Sequence, residues 1–385
     1  MATPQQPATR QETPAPTPPS PSTSKPTTLH ISDRAALATA WRSPHAILTH
    51  LNADTTWLLH LPYPEGAVAP PPRGRSRLTV LLDPWLRGPQ SDGGRWFSIQ
   101  WHVTAPSVQT LGELSALLGE LEAEATSRDG GATDETETRD GDGDGDGDGD
   151  SRTHAYIDVV AISHEFTDHC HEATLCELPR NTPVFAPDKA ARLIRSWKHF
   201  DAVTEMPAFL AAGTKDWRAA LNRAPLPSWV GIGRVVTPGN ALYYHSALIV
   251  AWAGPAGGDA IIYSPHGIDP GALSGIQSNG LRTLALLHGL DDIRLRMLKQ
   301  LNLGAVNGVA AARECGAKYW VATHDEPKKG GGIVSLLLER TRWSVADAVK
   351  SEGRENGVGK GAEGAGQGST YEFVELGSGD VLVLE

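Results

Sequence analysis

Apolar residues fall in short runs broken by polar turns, the pattern of strands buried on both faces. Thr56-Trp57-Leu58-Leu59-His60-Leu61 is one such run. Leu78-Thr79-Val80-Leu81-Leu82 is another, and it passes directly into Asp83-Pro84-Trp85-Leu86. Pro70-Pro71-Pro72-Arg73-Gly74-Arg75 reads as the loop between them. Leu111, Leu114, Leu117, Leu118 and Leu121 recur at helical spacing, so a helix is expected there, ending near Ala125. Tyr156 to Ile162 is a compact strand. Further strands are expected at Thr182–Phe185, Ala241–Trp252, Asp259–Tyr263, Leu284–Leu287 and Lys318–Ala322. Helices are expected at Pro187–Trp197 and at the Ala-rich stretch Gly304–Cys315. Strands alternating with helices predict an α/β protein with covered sheets.

Composition divides the chain. Residues 1–28 are Pro, Thr, Ser and Gln with almost no large apolar side chain, too little to offset the entropy of ordering. They read as a tail. The globular pattern runs from 29 to 350. Residues 351–369 read as a Gly-rich linker, and 370–385 as a C-terminal hairpin, Tyr371–Leu376 and Val381–Leu384 joined across Gly377-Ser378-Gly379-Asp380.

The net charge is −11, and it is unevenly placed. Segment 126–152 holds ten acidic residues against Arg128, Arg139 and Arg152, so −7 of the −11 lies there. The Asp-Gly repeat reads as a solvated insertion in a surface loop. A calcium loop begun at Asp140 would put Gly145 correctly at its sixth position, but Ser151 stands at the twelfth, where Glu is needed. The remainder is nearly neutral and offers no basic surface for nucleic acid or anionic membranes. No apolar run has the length of a membrane span. Cys170, Cys176 and Cys315 are too few, and odd in number, for a disulfide framework. The N-terminus lacks the order of a secretory signal. These features together lead to an expectation of a cytoplasmic protein. Gly359-Lys360-Gly361-Ala362-Glu363-Gly364 spells a dinucleotide fingerprint, but no strand precedes it and no apolar helix follows.

The chemistry concentrates in Ser163-His164-Glu165-Phe166-Thr167-Asp168-His169-Cys170-His171-Glu172. Three histidines and three carboxylates fall in a loop directly after a strand. Imidazole and carboxylate are the usual ligands of zinc and related ions. The alternative is a helix N-terminus capped by Thr167 or Asp168. Further histidines follow at strand ends: His245 after Tyr243-Tyr244, His266 after Ser264-Pro265, His288 after Leu287, and His324 after Thr323. Their recurrence points to one sheet edge.

On these residues the chain resembles the metallo-β-lactamase superfamily, with its H-x-H-x-D-H loop followed by a single His, an Asp and a final His at later strand ends. The resemblance spans roughly Thr56 to Lys329. It implies a four-layer αβ/βα sandwich with a metal site at one edge. Leu82-Asp83-Pro84 is similar to the family's early strand and turn. His164, Asp168 and His169 match loop positions, His245 the single His and His324 the final one. Phe166 replaces the second loop His, and Ser264-Pro265-His266-Gly267 stands where the bridging Asp would be. The resemblance therefore implies a single divalent ion (zinc, with iron or manganese as alternatives) on Asp168, His169 and His324, with His266 or water as the fourth ligand. His164 and His245 remain from the other metal position. Asp168 serves as ligand or base, and His164 moves protons. The implied activity is hydrolysis of a small-molecule substrate by metal-activated water. The rivals are a non-catalytic binding or scaffold protein of the same fold and an iron-dependent oxidoreductase. Cys170 reads as a small buried residue, and Asp325 and Glu326 as partners of ligand imidazoles or turn caps.

Overall fold

Period-two alternation sorts each apolar run between two faces. In strand Trp57–Pro62, Trp57, Leu59 and Leu61 face one core and Leu58 another. Strand Arg77–Leu82 repeats this, with Leu78, Val80 and Leu82 opposed to Leu81. Both faces are covered, as the unbroken hydrophobicity requires. The computed structural model describes residues 25–66, 72, 74–127, 156–211, 214, 216–237, 243–254, 257–296, 299–355 and 371–385.

Two large sheets face each other. The first has eight strands, in the order Thr28–His30, Asp380–Leu384, Ala46–His50, Trp57–Pro62, Arg77–Leu82, Val159–Ala161, Val184–Ala186 and Val203–Glu205. The second has seven: Glu372–Val374, Tyr319–Val321, Leu281–His288, Gly257–Ser264, Ala247–Gly254, Val230–Val235 and Ala208–Phe209. Trp57, Leu59 and Val80 of the first meet Val250, Tyr263 and Leu287 of the second in a shared core. Helices Arg34–Trp41, Leu111–Ser127 and Asp188–Ser196 cover the outer face of the first sheet. Helices Trp217–Leu221, Gly304–Glu314 and Val345–Glu355 cover the outer face of the second. The layers run helix, sheet, sheet, helix: an αβ/βα sandwich. Among the described residues no helix is long and apolar enough to cross a membrane.

The C-terminal hairpin expected at 370–385 does not form. Glu372–Val374 lies parallel to Tyr319–Val321 in the second sheet. Asp380–Leu384 enters the first sheet, antiparallel to both Thr28–His30 and Ala46–His50. Both runs are apolar and each found a long-range partner, a choice that alternation alone does not encode. The boundaries elsewhere shift slightly. Thr28 opens the first strand, and helix Val345–Glu355 carries regular structure five residues past 350. The tail up to 24, residues 128–155 of and around the acidic insertion, and 356–370 lie outside the described residues. A small sheet of Asp291–Leu295, Lys299–Leu303 and Leu338–Arg342, which the apolar pattern does not announce, borders the site.

Trp57 ties the sheets together. It is fully buried, stacks on His50 with ring centroids 3.7 Å apart, and donates from Nε1 to Thr323 Oγ1 at 2.9 Å. Trp57→Ala is expected to cost about 3–5 kcal/mol of unfolding free energy in urea titrations. A cost under about 1 kcal/mol would mean that the two sheets do not depend on this contact.

Candidate metal centre

Parallel strands aim their C-terminal ends the same way. Arg77–Leu82, Val159–Ala161 and Val184–Ala186 run parallel in the first sheet. Gly257–Ser264, Leu281–His288 and Tyr319–Val321 do so in the second. Asp83, the loop Ser163 to His169, His266 and His324 all lie just past such ends. The fold thus gathers at one edge side chains that are up to 241 positions apart in sequence, from Asp83 to His324.

Four buried imidazoles meet there. Ring centroids are 3.9 Å apart for His164 and His169, 4.5 Å for His164 and His266, 5.1 Å for His169 and His266, and 4.8 Å for His169 and His324. Two sets of ligand atoms converge within 4.8 Å of one another: His164, His169 and His266, and Asp168, His169 and His324. His169 belongs to both.

The outer ring nitrogens are held by oxygen atoms. His169 Nδ1 lies 2.6 Å from Asp83 Oδ2, His266 Nδ1 2.7 Å from Asn302 Oδ1, and His324 Nδ1 3.0 Å from Asp54 Oδ1. An oxygen there fixes the proton on Nδ1 and leaves Nε2 with its lone pair, the arrangement found behind metal-bound histidines. The Nε2 atoms of His164, His169 and His266 are buried and make no hydrogen bond among the described residues. Three orphaned imidazole nitrogens this close fit a divalent ion that prefers nitrogen ligands. His164 differs, because its Nδ1 faces the Phe166 amide at 3.3 Å instead of an oxygen.

Electrostatics agree. Burial, then the neighbouring imidazoles, push His164 and His266 well below the ordinary histidine value, so both are neutral donors of lone pairs. Burial also lowers His169, but Asp168 and Asp83 outweigh it and raise the group. The position between those carboxylates calls for positive charge. Backbone strain marks the same edge. Asp83 and His324 adopt φ of 42° and 59°, the left-handed region that costs such residues about 1–3 kcal/mol.

Two site residues gave no sequence signal. Asp54 sits in Asn52-Ala53-Asp54-Thr55-Thr56, which reads as a turn, and Lys328 in Pro327-Lys328-Lys329-Gly330, which reads as a surface corner. Lys328 Nζ lies 2.8 Å from Asp168 Oδ2 and 2.7 Å from Asp54 Oδ2, with its side chain only 10% exposed. Burial alone would raise Asp168, but Lys328, then His169 and His324, hold it well below the usual carboxylate range.

Other candidates are set apart. His245 Nε2 bonds Leu301 O at 3.0 Å, outside both ligand sets, so the position matching the family's single His does not reach the cluster. His288 bonds Gly289 O and Asn307 instead. Asp325 accepts the backbone N–H groups of Leu290 and Asp291, while Glu326 takes those of Val103 and Thr104 and pairs with His102. Neither contacts an imidazole of the cluster; Asp83 and Asp54 do. Cys170 is buried, with its thiol pushed up by burial and then by Asp83.

A cavity of about 380 Å³ opens on the cluster. Asp168, His266, His324 and Lys328 line it on the cluster side, and Phe97, Phe166, Tyr244, Ile293, Leu295 and Leu301 are among its apolar walls.

Four layers, with a histidine-lined edge where the strand ends of both sheets meet, decide the architecture. It is the αβ/βα sandwich, with a His/Asp cluster at one edge, that the resemblance to the metallo-β-lactamase superfamily implies. No family model and no curated protein matches the chain. Solved structures similar to it include an isothiocyanate hydrolase from Delia radicum gut bacteria, at 14% identity and a TM-score of 0.45, covering 87% of this chain and 98% of that one. A possible metal-dependent hydrolase from Veillonella parvula has 10% identity and a TM-score of 0.46, with 88% and 100% covered. A metallo-β-lactamase fold protein from Bacillus subtilis has 11% identity and a TM-score of 0.38, with 88% and 98% covered.

Within this sandwich, Asp83 is the residue that orients His169. Asp83→Ala is expected to weaken zinc binding about 10–100-fold, measured by competition with a chelating dye. Unchanged affinity would show that the Asp83–His169 contact does not serve metal binding.

Proposed function

We propose that this protein is a metal-dependent hydrolase of small, neutral, largely apolar substrates. The observation that carries the reading is the set of three buried, unpartnered Nε2 atoms beside an apolar cavity. A bound zinc-type ion supplies a water of lowered pKa and a Lewis acid for the scissile carbonyl. The chain's own residues do the rest. Asp83 and Asn302 hold His169 and His266 in the tautomer that presents Nε2. Asp168, kept ionised beside Lys328, accepts a hydrogen bond from the attacking water and orients it. Asp92, on the cavity wall, is pushed up to about 6 by burial and then by Asp168, which suits it to return a proton to the leaving group.

The walls argue the substrate class. Phe97, Phe166, Ile293, Leu295 and Leu301 favour an apolar group. The cations nearby are engaged: Arg340 pairs with Asp291, and Lys299 lies over the Tyr244 ring at 4.9 Å. Among the described residues no cluster of free cations lines the cavity. The test is turnover of a panel of neutral aryl esters, thioesters, lactones and phosphodiesters by the zinc-loaded chain. Neutral carbonyl substrates are expected to react and to stop reacting on chelation. Preference for phosphodiesters would overturn the substrate class, and turnover indifferent to chelation would overturn the mechanism.

A further inference from the structure

Lys328 has no evident role in either convergent ligand set, yet it is driven into the centre. Its ammonium reaches Asp54 Oδ2 at 2.7 Å and Asp168 Oδ2 at 2.8 Å, and lies 3.4 Å from His324 Nδ1. Burying an ammonium is costly unless it is well paired, and here two carboxylates pair it. The two ligand sets therefore differ. In one, His164, His169 and His266 leave three nitrogen atoms without a hydrogen bond, that of His169 lying 3.7 Å from Asp168 Oδ1. In the other, the carboxylate of Asp168 already has a cation, and His324 is tied through Asp54 to the same ammonium. A dication on Asp168 would share that carboxylate with Lys328, two like charges at contact range in a dry site.

Building on the proposed hydrolase reading, we infer that Lys328 occupies the electrostatic place of a second metal ion, so that the centre takes one ion, on His164, His169 and His266. Asp168 and His324 then form a permanent ion network with Lys328 and Asp54 instead of a ligand set. This differs from the ligand set that the sequence resemblance implies, in which Asp168, His169 and His324 hold the ion.

Metal content tests it without recourse to activity. The full chain is equilibrated with excess zinc, freed of unbound ion by gel filtration, and analysed for zinc per chain. Wild type is expected to retain one zinc. Asp168→Ala is expected to retain one as well, since Lys328 still has Asp54. His266→Ala is expected to lose the ion, with affinity down at least about tenfold, and His164→Ala to lose less because no oxygen backs its ring. Lys328→Met, which keeps length and removes charge, is expected to take up a second zinc. Two zinc ions in wild type, or a metal-free Asp168→Ala beside a zinc-retaining His266→Ala, would overturn the inference and leave the hydrolase reading standing. Wild type that retains no zinc would overturn both. Should Lys328→Met fail to fold, the Asp168→Ala and His266→Ala pair still decides.

Discussion

Replacing His169 by alanine is expected to reduce turnover of the best neutral substrate by about a thousandfold or more. Its Nε2 is common to both ligand sets, and its Nδ1 is anchored at 2.6 Å on Asp83. No other imidazole in the cluster has that double position. The magnitude follows from what the ion supplies: several kcal/mol of transition-state stabilisation, where each ~1.4 kcal/mol is a factor of ten. Chelation of wild type is expected to give the same loss, and readdition of zinc to restore wild type but not His169→Ala. The residual rate of the variant should not respond to chelation. A variant retaining more than about a tenth of wild-type turnover would remove the metal from the mechanism.

The second large effect concerns stability. Lys328→Met leaves Asp54 and Asp168 buried without their cation, and loss of one partner of a buried ion network costs about 3–5 kcal/mol. The pH dependence gives the signature. In wild type both carboxylates are held below their ordinary value, chiefly against burial by Lys328. A depressed carboxyl contributes stability that is present above its unfolded value and lost as pH falls through the folded one. Lys328 itself is raised from 10.5 to about 12, so its share is complete below 10.5 and lost as pH rises towards 12. In the variant the sign reverses for the carboxylates. Without the ammonium, burial raises them, so the folded state gains stability on acidification. Urea titrations at pH 5 and pH 8 should show the variant closer to wild type at pH 5. A variant equally impaired at both values would show that the loss is one of packing alone. Zinc should also restore the variant at pH 8, because an added dication meets the same two carboxylates.

Much of this architecture is legible in the chain. The runs at Trp57 and Leu78 declare strands covered on both faces, and the loop after Ile162 declares its chemistry by composition. The resemblance puts His266 beside Asp168, His169 and His324 in place of a missing carboxylate, whereas the fold groups its ring with His164 and His169. Legibility fails where a residue's role depends on partners distant in sequence. Asp54 is a turn aspartate until the fold brings His324 within 3.0 Å. Lys328 is a surface lysine by its neighbours and a buried one by its contacts. His245 fails in the opposite sense, since a well-placed position in sequence turned its ring to a backbone carbonyl. The terminal strands fail for the same reason: local alternation specifies a strand and leaves its partner open.

Those terminal strands also govern the order in which the protein is completed. Strand Asp380–Leu384 lies between Thr28–His30 and Ala46–His50, so among the described residues the edge strand Thr28–His30 has no neighbour until residues 380–384 exist. During synthesis the first sheet remains split while every other strand is already available. Helix Arg34–Trp41 and the strands from Ala46 onward can assemble early, but the closing strand is made after every other described strand. The first sheet is thus closed only once residues 380–384 have been made, and a ribosome stalled short of residue 380 displays a nascent chain with an open sheet edge, the kind of surface that chaperones and neighbouring chains bind.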